Sequence, residues 1–133
     1  MGEFVFFYGT LMAGFDRRRR LGIDPMLRYV GRGSIEAALY DLGIYPAAVP
    51  TTGSRVWGEV FETDAIGDVL AALDQIEGHR PDDPDGSLYL REKVPTVLPG
   101  GRSVEAWVYF YNAPLGQAPL IPSGDYLEHV RAR

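Results

Sequence analysis

Glu77 carries the clearest chemical signal in the chain, because it stands near the end of a helical pattern. At about 100° per residue, Ile66, Leu70 and Leu73 fall on one face of a helix, and Glu77 falls within the same apolar stripe. A carboxylate placed there points toward the core. Burial and the C-terminal end of the helix dipole both raise the pKa of such a group, toward values useful for proton transfer at neutral pH. Glu77 is therefore a candidate general acid or base.

Two other environments for Glu77 fit the same pattern. The helix could end one residue earlier, so that the side chain faces solvent, or the carboxylate could form an ion pair with an arginine such as Arg91. Three other polar residues of the helix lie off the apolar stripe and are expected in solvent: Asp68, Asp74 and Gln75.

A second candidate is the segment Tyr8, Gly9, Thr10 and Leu11, where an apolar strand stops at a glycine. Backbone N–H groups of successive residues in such a turn can converge on an anion, and the hydroxyls of Tyr8 and Thr10 are nearby donors. Because strands commonly end at glycine, an ordinary turn is the alternative.

The residue inventory argues against several other chemistries. The 133 residues include no cysteine, a single lysine and two histidines, His79 and His129, which we expect at the surface. Thiol nucleophiles and thiolate metal sites are thus excluded, and a histidine-rich metal cage has few candidates. The acidic loop around Asp82 and Asp85 does not fit a calcium-binding EF-hand loop. That alignment places Pro81 at the first ligand position, and proline has no side-chain oxygen that could bind calcium. We expect no metal site and no cofactor.

The charge balance argues against two classes of partner. Eighteen acidic and thirteen basic side chains give a formal net charge of −5, which does not favour nucleic acid or an anionic membrane. The run Arg17–Arg20 could bind phosphate, but a solvated surface is the alternative. The apolar segment Phe4–Leu11 is broken by Gly9 and Thr10 and lacks a basic leader, so it is typical of neither a signal peptide nor a membrane span. A cytoplasmic location is expected.

The elements that must position these residues are strands with one long helix. The length predicts a single domain over 1–133. The helix is predicted from Asp64 to Glu77, with Thr63 or Asp64 as N-cap and Gly78 after its end. Alternation and β-branched residues predict the following strand segments: Glu3–Tyr8, Met26–Leu42, Arg55–Thr63, Leu88–Leu98 and Arg102–Tyr111. Ala47–Val49 is a short apolar piece after the extended or turn dipeptide Tyr45-Pro46.

These elements predict an α+β fold. The expected architecture is a small mixed, largely antiparallel curled sheet or barrel of about five to seven strands, with one main helix at about 64–77 and short flanking helices. Gly31 and Gly33 indicate a bulge or bend in the second strand. The last two strands form a hairpin across 99–101, and Ser123–Tyr126 opens a short helix near the end of the chain.

Several short motifs resemble the γ-glutamyl cyclotransferase family. They occur in the family's order over nearly the whole chain and are most similar to small members acting on γ-glutamylamines and to their bacterial relatives. The motifs are Phe7-Tyr8-Gly9-Thr10-Leu11-Met12, Gly43-x-Tyr45-Pro46-Ala47, Gly58-Glu59-Val60-Phe61, Leu73-Asp74-x-x-Glu77-Gly78, Tyr89-x-Arg91 and Ser123-Gly124-Asp125-Tyr126.

The resemblance implies a mixed barrel with a cavity at one end and conversion of a γ-glutamyl amide to 5-oxoproline and a free amine. It makes Glu77 the acid/base and assigns the substrate's α-carboxylate and amino group to Tyr8, Gly9, Thr10 and Leu11. Tyr45, Tyr89 and Tyr109 become cavity walls. The implied partner is a small γ-glutamyl substrate, and the implied reaction requires no metal. We expect no cofactor and a protein that is a monomer or a weak homodimer.

Two departures from the family pattern leave the leaving amine open. The stretch Arg17–Arg20 lacks an asparagine often found after the first loop, and the loop His79–Ser87 is long and acidic. Two other functions also remain open: a barrel that binds a small ligand without turning it over, and an interaction domain that uses Arg17–Arg20 for an acidic partner.

Overall fold

Strands dominate the structure, a computed structural model that describes residues 2–9, 12, 22–43, 45–80 and 82–132. Thr10, Leu11 and Arg17–Arg20 lie outside these described residues. The elements in the described residues are β1 (Glu3–Phe7), β2 (Arg28–Asp41), β3 (Pro46–Thr63), α1 (Ile66–Glu77), β4 (Tyr89–Val97), β5 (Ser103–Tyr111) and α2 (Tyr126–Arg131), with 3-10 turns at Asp24–Met26, Pro84–Gly86 and Pro99–Gly101.

The strands form a closed barrel in the order β1-β3-β2-β4-β5. All neighbouring pairs are antiparallel except β1 and β5, whose parallel pairing at Phe4–Ala106 and Val5–Trp107 closes the barrel. The predicted α+β fold with a mixed, largely antiparallel barrel is therefore confirmed. The short apolar strand β1 is paired on both sides, which explains why Val5, Phe6 and Phe7 are all buried.

One long strand, β3, replaces two predicted pieces. The prediction described Ala47–Val49 as a short apolar piece and began the next strand at Arg55, and it did not assign the polar, glycine-containing segment between them. In the structure β3 continues through this segment, and the partner strand passes from Glu36 opposite Arg55 to Ala37 opposite Pro50. The intervening residues form an irregularity within the strand, which begins at Pro46 and not at the predicted Arg55. A second register shift between Tyr29 and Gly31 confirms the bulge expected near Gly31.

The hairpin of β4 and β5 agrees with the prediction. Residues pair in continuous antiparallel register from Tyr89–Tyr111 to Val97–Ser103, and the connection contains the 3-10 turn Pro99–Gly101. Because side chains alternate along a strand, Tyr109 of β5 and Arg91 of β4, which are register partners, share one face of the hairpin.

Helix α1 ends as predicted but begins later. Gly78 follows it in the left-handed conformation, with φ of 68°, and Val69, Leu70 and Leu73 are buried. The N-cap is Ala65, not Thr63 or Asp64. Thr63 instead accepts a hydrogen bond at Oγ1 from the Ala65 N–H at 3.0 Å, and Asp64 forms an ion pair with Arg28 at 3.1 Å. Both candidate caps are thus engaged in other contacts.

The segment Ser123–Tyr126 connects the last part of the chain to the barrel through a hydrogen bond and an ion pair. The Trp57 N–H donates to the Gly124 carbonyl at 2.8 Å, and Asp125 caps α2 by accepting from the Glu128 N–H at 3.1 Å. Asp125 also forms an ion pair with Arg32 at 2.7 Å. The predicted short helix is confirmed. Within the described ranges, no helix has the length and apolar character needed to cross a membrane.

Candidate active site

A cavity of about 100 Å³ opens where the end of β1, the start of β3, the end of α1, and strands β4 and β5 meet. The structure brings six of the eight residues singled out from the sequence to this cavity, and the other two, Thr10 and Leu11, lie outside the described residues. The lining residues are Phe6, Phe7, Tyr8, Gly9, Tyr45, Pro46, Ile76, Glu77, Leu88, Tyr89 and Tyr109.

Glu77 is the last residue of α1 and lines the cavity as a half-buried side chain. The alternative in which the helix ends before Glu77 is therefore wrong. Its carboxylate contributes to raising the pKa of both Tyr8 and Tyr109, which shows that it lies within electrostatic range of both rings. Leu73, one turn earlier, is fully buried and holds this face of the helix against the barrel.

Tyr8 lies just after β1 and is buried. Its hydroxyl donates to the Tyr109 carbonyl at 2.6 Å and accepts from the Ala48 N–H at 3.4 Å. Burial is the largest cause that raises the pKa of Tyr8 well above its usual value, and electrostatic interactions with Tyr89 and Glu77 raise it further. The hydroxyl therefore keeps its proton. Because that proton is directed at a carbonyl of β5, Tyr8 contributes its ring and backbone to the cavity, and its hydroxyl does not serve as the expected donor.

Gly9 lies in the turn that follows β1. Its carbonyl accepts from the Met12 N–H at 3.0 Å, as in a turn, and a Cβ atom added to Gly9 would lie 2.9 Å from Cγ of Pro46. Only glycine therefore allows this turn to approach the start of β3 so closely. Both Gly9 and Pro46 line the cavity, so their contact sets the distance between two of its walls.

Aromatic rings form much of the remaining wall. The Tyr89 hydroxyl donates to the Pro46 carbonyl at 3.0 Å, and its ring centroid lies 6.2 Å from that of Tyr45 and 5.4 Å from that of Tyr111. These contacts fix the rings in edge and tilted arrangements, which are favourable for aromatic pairs. Tyr45, Tyr89 and Tyr109 thus all line the cavity.

Asp74 is the residue for which the sequence-based expectation failed. Its side chain is only 12% exposed, its Oδ1 accepts a hydrogen bond from the Tyr109 hydroxyl at 2.5 Å, and the same oxygen lies 3.0 Å from Nε of Arg91. Arg91, proposed as a partner for Glu77, is therefore an ion-pair partner of Asp74. Asp68 and Gln75 are exposed as predicted.

Both histidines are half-buried at the surface of the barrel. The Nδ1 atom of His79 lies 3.3 Å from the Tyr89 carbonyl, and its ring centroid lies 6.3 Å from that of Tyr109 in a T-shaped arrangement. His129 of α2 places Nε2 2.8 Å from Oδ2 of Asp41 at the end of β2. Each histidine thus makes one polar contact to a neighbouring element and keeps part of its surface exposed, in agreement with a surface position.

The loop His79–Ser87 returns the chain to the cavity. The Arg80 N–H donates to Oγ of Ser87 at 2.7 Å, and Nδ2 of Asn112 donates to the Ser87 carbonyl at 3.0 Å. Ser87 is buried, and the next residue, Leu88, lines the cavity.

The described residues contain no group of three or more His, Asp or Glu side chains arranged to hold a metal ion.

Comparison with known proteins gives consistent matches. A family model described as Gamma-glutamyl cyclotransferase, AIG2-like, matches residues 5–128. A Methanocaldococcus jannaschii protein named as a candidate gamma-glutamylcyclotransferase is 36% identical over 133 residues, covering 96% of this chain and 98% of that protein. The gamma-glutamylcyclotransferase family protein YtfP of Escherichia coli is 40% identical over 128 residues, covering 93% and 96%.

A solved structure agrees with the fold. The crystal structure of an AIG2-like protein from Mus musculus has a TM-score of 0.72 and 24% identity, covering 94% of this chain and 88% of that one. With the family match over most of the chain, the chain belongs to the gamma-glutamyl cyclotransferase, AIG2-like, family.

Proposed function

We propose that the protein is a cyclotransferase that converts a γ-glutamyl amide, either a γ-glutamylamine or a γ-glutamyl-amino acid, to 5-oxoproline and the free amine. The observation that carries this proposal is the position of Glu77, whose carboxylate-bearing side chain lines the same cavity as the turn at Tyr8 and Gly9. Membership of the family supports the same reaction.

The reaction is an intramolecular acyl transfer. The nitrogen of the substrate's α-amine attacks its own γ-carbonyl carbon and closes a five-membered ring, and the bond between that carbon and the leaving nitrogen breaks. Because both reacting groups belong to one molecule, holding the substrate in a folded conformation supplies much of the acceleration. The atoms balance without a protein nucleophile.

Glu77 would manage the single proton that must move. As a carboxylate it accepts a proton from the attacking amine, and as a carboxylic acid it returns that proton to the leaving nitrogen. A carboxyl group can serve in both directions when it lies within hydrogen-bond reach of both nitrogens. The small cavity and the half-buried position of Glu77 support this role.

The turn at the end of β1 would bind the glutamyl end of the substrate. In this proposal the backbone N–H groups of Gly9, Thr10 and Leu11 hold the α-carboxylate, and Tyr8 contributes its ring. Tyr45, Tyr89 and Tyr109 would enclose the folded substrate and reduce its contact with water, which strengthens electrostatic interactions in the cavity.

Substitution of Glu77 tests the proposal. Glu77→Gln keeps the size of the side chain but cannot accept and return the proton, so we expect turnover to fall by about 10² to 10⁴ while the fold is retained. Purified wild type and variant are incubated with a panel of γ-glutamyl amides, and 5-oxoproline is measured by mass. Circular dichroism and thermal unfolding check the fold.

Three outcomes distinguish the candidate functions. Release of 5-oxoproline by wild type alone supports the proposal, whereas equal rates for Glu77→Gln would show that this residue is not the acid/base. Saturable binding of γ-glutamyl amides by wild type with no 5-oxoproline from any of them would favour the binding barrel instead.

A further inference from the structure

We propose that Asp74 is a positioning residue, which acts through Tyr109 to hold the helix that bears Glu77 in register with the substrate-binding turn. This inference rests on the proposed function. Asp74 lies one helical turn before Glu77 and does not itself line the cavity, but it contacts Tyr109, which does.

The first step is the contact between Asp74 and Tyr109, which joins α1 to β5. At 2.5 Å it is a short hydrogen bond to a carboxylate oxygen, and the Leu70 carbonyl at 3.4 Å is the more distant acceptor. Burial and Asp74 raise the pKa of Tyr109, so the phenol remains a donor. Hydrogen bonds to charged acceptors are stronger than neutral ones, and this one is mostly excluded from solvent.

The second step concerns Arg91, which faces the same carboxylate oxygen from β4. Its Nε lies 3.0 Å from Asp74 but is not aligned as a hydrogen-bond donor, so the contact is an ion pair. The guanidinium carbon lies 5.3 Å from the ring centroid of Trp107, which holds the arginine over that ring. The Asp74 carboxylate therefore contacts a hydrogen-bond donor on β5, the Tyr109 hydroxyl, and a cation on the paired strand β4, the Arg91 guanidinium.

The third step links this contact to the other side of the cavity. The residue that donates to Asp74 through its hydroxyl also accepts, through its backbone carbonyl, the Tyr8 hydroxyl at 2.6 Å. Tyr8 immediately precedes Gly9 in the turn. A continuous path, Asp74–Tyr109–Tyr8, thus connects the helix that carries the proposed acid/base with the turn proposed to bind the substrate.

The path predicts which kinetic constant should change. The α-carboxylate would be held by the turn, which the loss of Asp74 leaves in place, so KM should change little. The proton transfer requires the Glu77 carboxylate within about 2.6–3.2 Å of the reacting nitrogens. Because a displacement of about 1 Å can cost about 10²-fold in rate, a loosened α1 should lower kcat.

Two single variants and their combination test the inference. Asp74→Asn removes the charge, and Tyr109→Phe removes the donor while keeping the ring, so we expect each to lower kcat by about 10-fold with KM within about 3-fold. The double variant should be no more than about 3-fold slower than either single one, because both break the same contact. Asp68→Asn, the same change at an exposed position of α1, should match wild type.

The results separate a positioning role from a structural one and from failure of the proposed function. Unchanged kcat in both single variants, a change confined to KM, or fully multiplicative effects in the double variant would each overturn the inference. If Asp74→Asn is too unstable to assay, Tyr109→Phe decides alone. A wild type that forms no 5-oxoproline would overturn the proposed function, whereas an active wild type, an inactive Glu77→Gln and a fully active Asp74→Asn would overturn only the positioning role.

Discussion

At the scale of single residues, the two carboxylates in the second half of α1 differ in what packs against them. Asp74 meets Tyr109 and Arg91 from the β4–β5 hairpin, whereas Glu77, one turn later, reaches the cavity. Two carboxylates on one helix can therefore take different chemical roles, because their surroundings differ.

The helical periodicity predicted Glu77 but not Asp74, and the reason is physical. A helical wheel separates an apolar stripe from a solvent face, but it does not show how far a neighbouring hairpin extends over the side of the helix. Asp74 stands four residues after the buried Leu70, at the margin of the stripe. Tyr109 and Arg91, on paired strands, cover that margin. The available signals were this i, i+4 relation to a core residue and the place of Asp74 in the motif Leu73-Asp74-x-x-Glu77-Gly78.

The close approach of Gly9 to Pro46 gives a prediction at this scale. A Cβ at position 9 would lie 2.9 Å from Cγ of Pro46, so Gly9→Ala must push two cavity walls apart. We expect KM for a γ-glutamyl amide to rise and the unfolding free energy to fall by about 1–3 kcal/mol, as for other overpacked sites. Steady-state kinetics and urea unfolding measure both quantities.

The control for that variant is Gly31→Ala. Its added Cβ would lie 3.9 Å from Cδ of Pro99, an ordinary van der Waals distance, and Gly31 does not line the cavity. We expect KM to stay at the wild-type value in Gly31→Ala. An unchanged KM in Gly9→Ala as well would contradict a role for the turn in substrate binding.

At the scale of elements, α1 and the hairpin were predicted more accurately than β3. Periodicity and Gly78 mark the end of the helix, and residues 99–101 mark the hairpin turn. Both could be predicted because their signals lie in a few neighbouring residues. The continuity of β3 is not local. The segment at Thr51–Ser54 has turn-forming residues, but β2 pairs on both sides of it, so tertiary pairing overrides the local preference. The same holds for Asp64, whose partner Arg28 is distant in sequence.

Two glycines, Gly67 within α1 and Gly78 directly after it, give opposite predictions for the effect of alanine on stability. Gly67 lies in the first turn, and a Cβ there would meet nothing within 4 Å, so Gly67→Ala should stabilise the protein by up to about 1 kcal/mol. Gly78 has φ of 68°, and its added Cβ would lie 3.2 Å from Cβ of Leu88, so Gly78→Ala should destabilise by at least about 1 kcal/mol.

Denaturant unfolding of the two variants beside wild type measures these effects. Because Gly78 directly follows Glu77, we also expect Gly78→Ala to lower the rate of 5-oxoproline formation, whereas Gly67→Ala should leave it unchanged. A Gly78→Ala protein as stable as wild type would contradict the need for the left-handed conformation at the end of α1.

At the scale of the whole molecule, the barrel depends on a short closure. The parallel pair β1–β5 has only two register partners, Phe4–Ala106 and Val5–Trp107, and the bond from Tyr8 to the Tyr109 carbonyl extends this contact toward the cavity. On the outside, Lys93 and Trp107 both contact the Glu3 carboxylate, at 2.9 and 3.3 Å. The mixed barrel was predicted from strand content, but its closing pair was not, because strand order depends on long-range contacts.

The buried tyrosines at this closure predict how stability depends on pH. Burial is the main cause that raises the pKa of both Tyr8 and Tyr109, whereas in the unfolded chain a tyrosine ionises near pH 10. Above about pH 10 the unfolded state therefore releases protons that the folded state keeps. The stabilisation is fully present below that pH and is lost as pH rises, at about 1.4 kcal/mol per pH unit for each group.

Urea unfolding between about pH 8 and 11, followed by fluorescence of the two tryptophans, measures this slope. Removal of a hydroxyl also removes a hydrogen bond, so the slope rather than the absolute stability is compared. Tyr8→Phe and Tyr109→Phe should each reduce the alkaline slope by the contribution of one group, and the double variant by two, while other groups titrate alike in all four proteins. Identical slopes in all four would mean that these hydroxyls ionise as readily in the folded barrel as in the unfolded chain, which is incompatible with a buried closure.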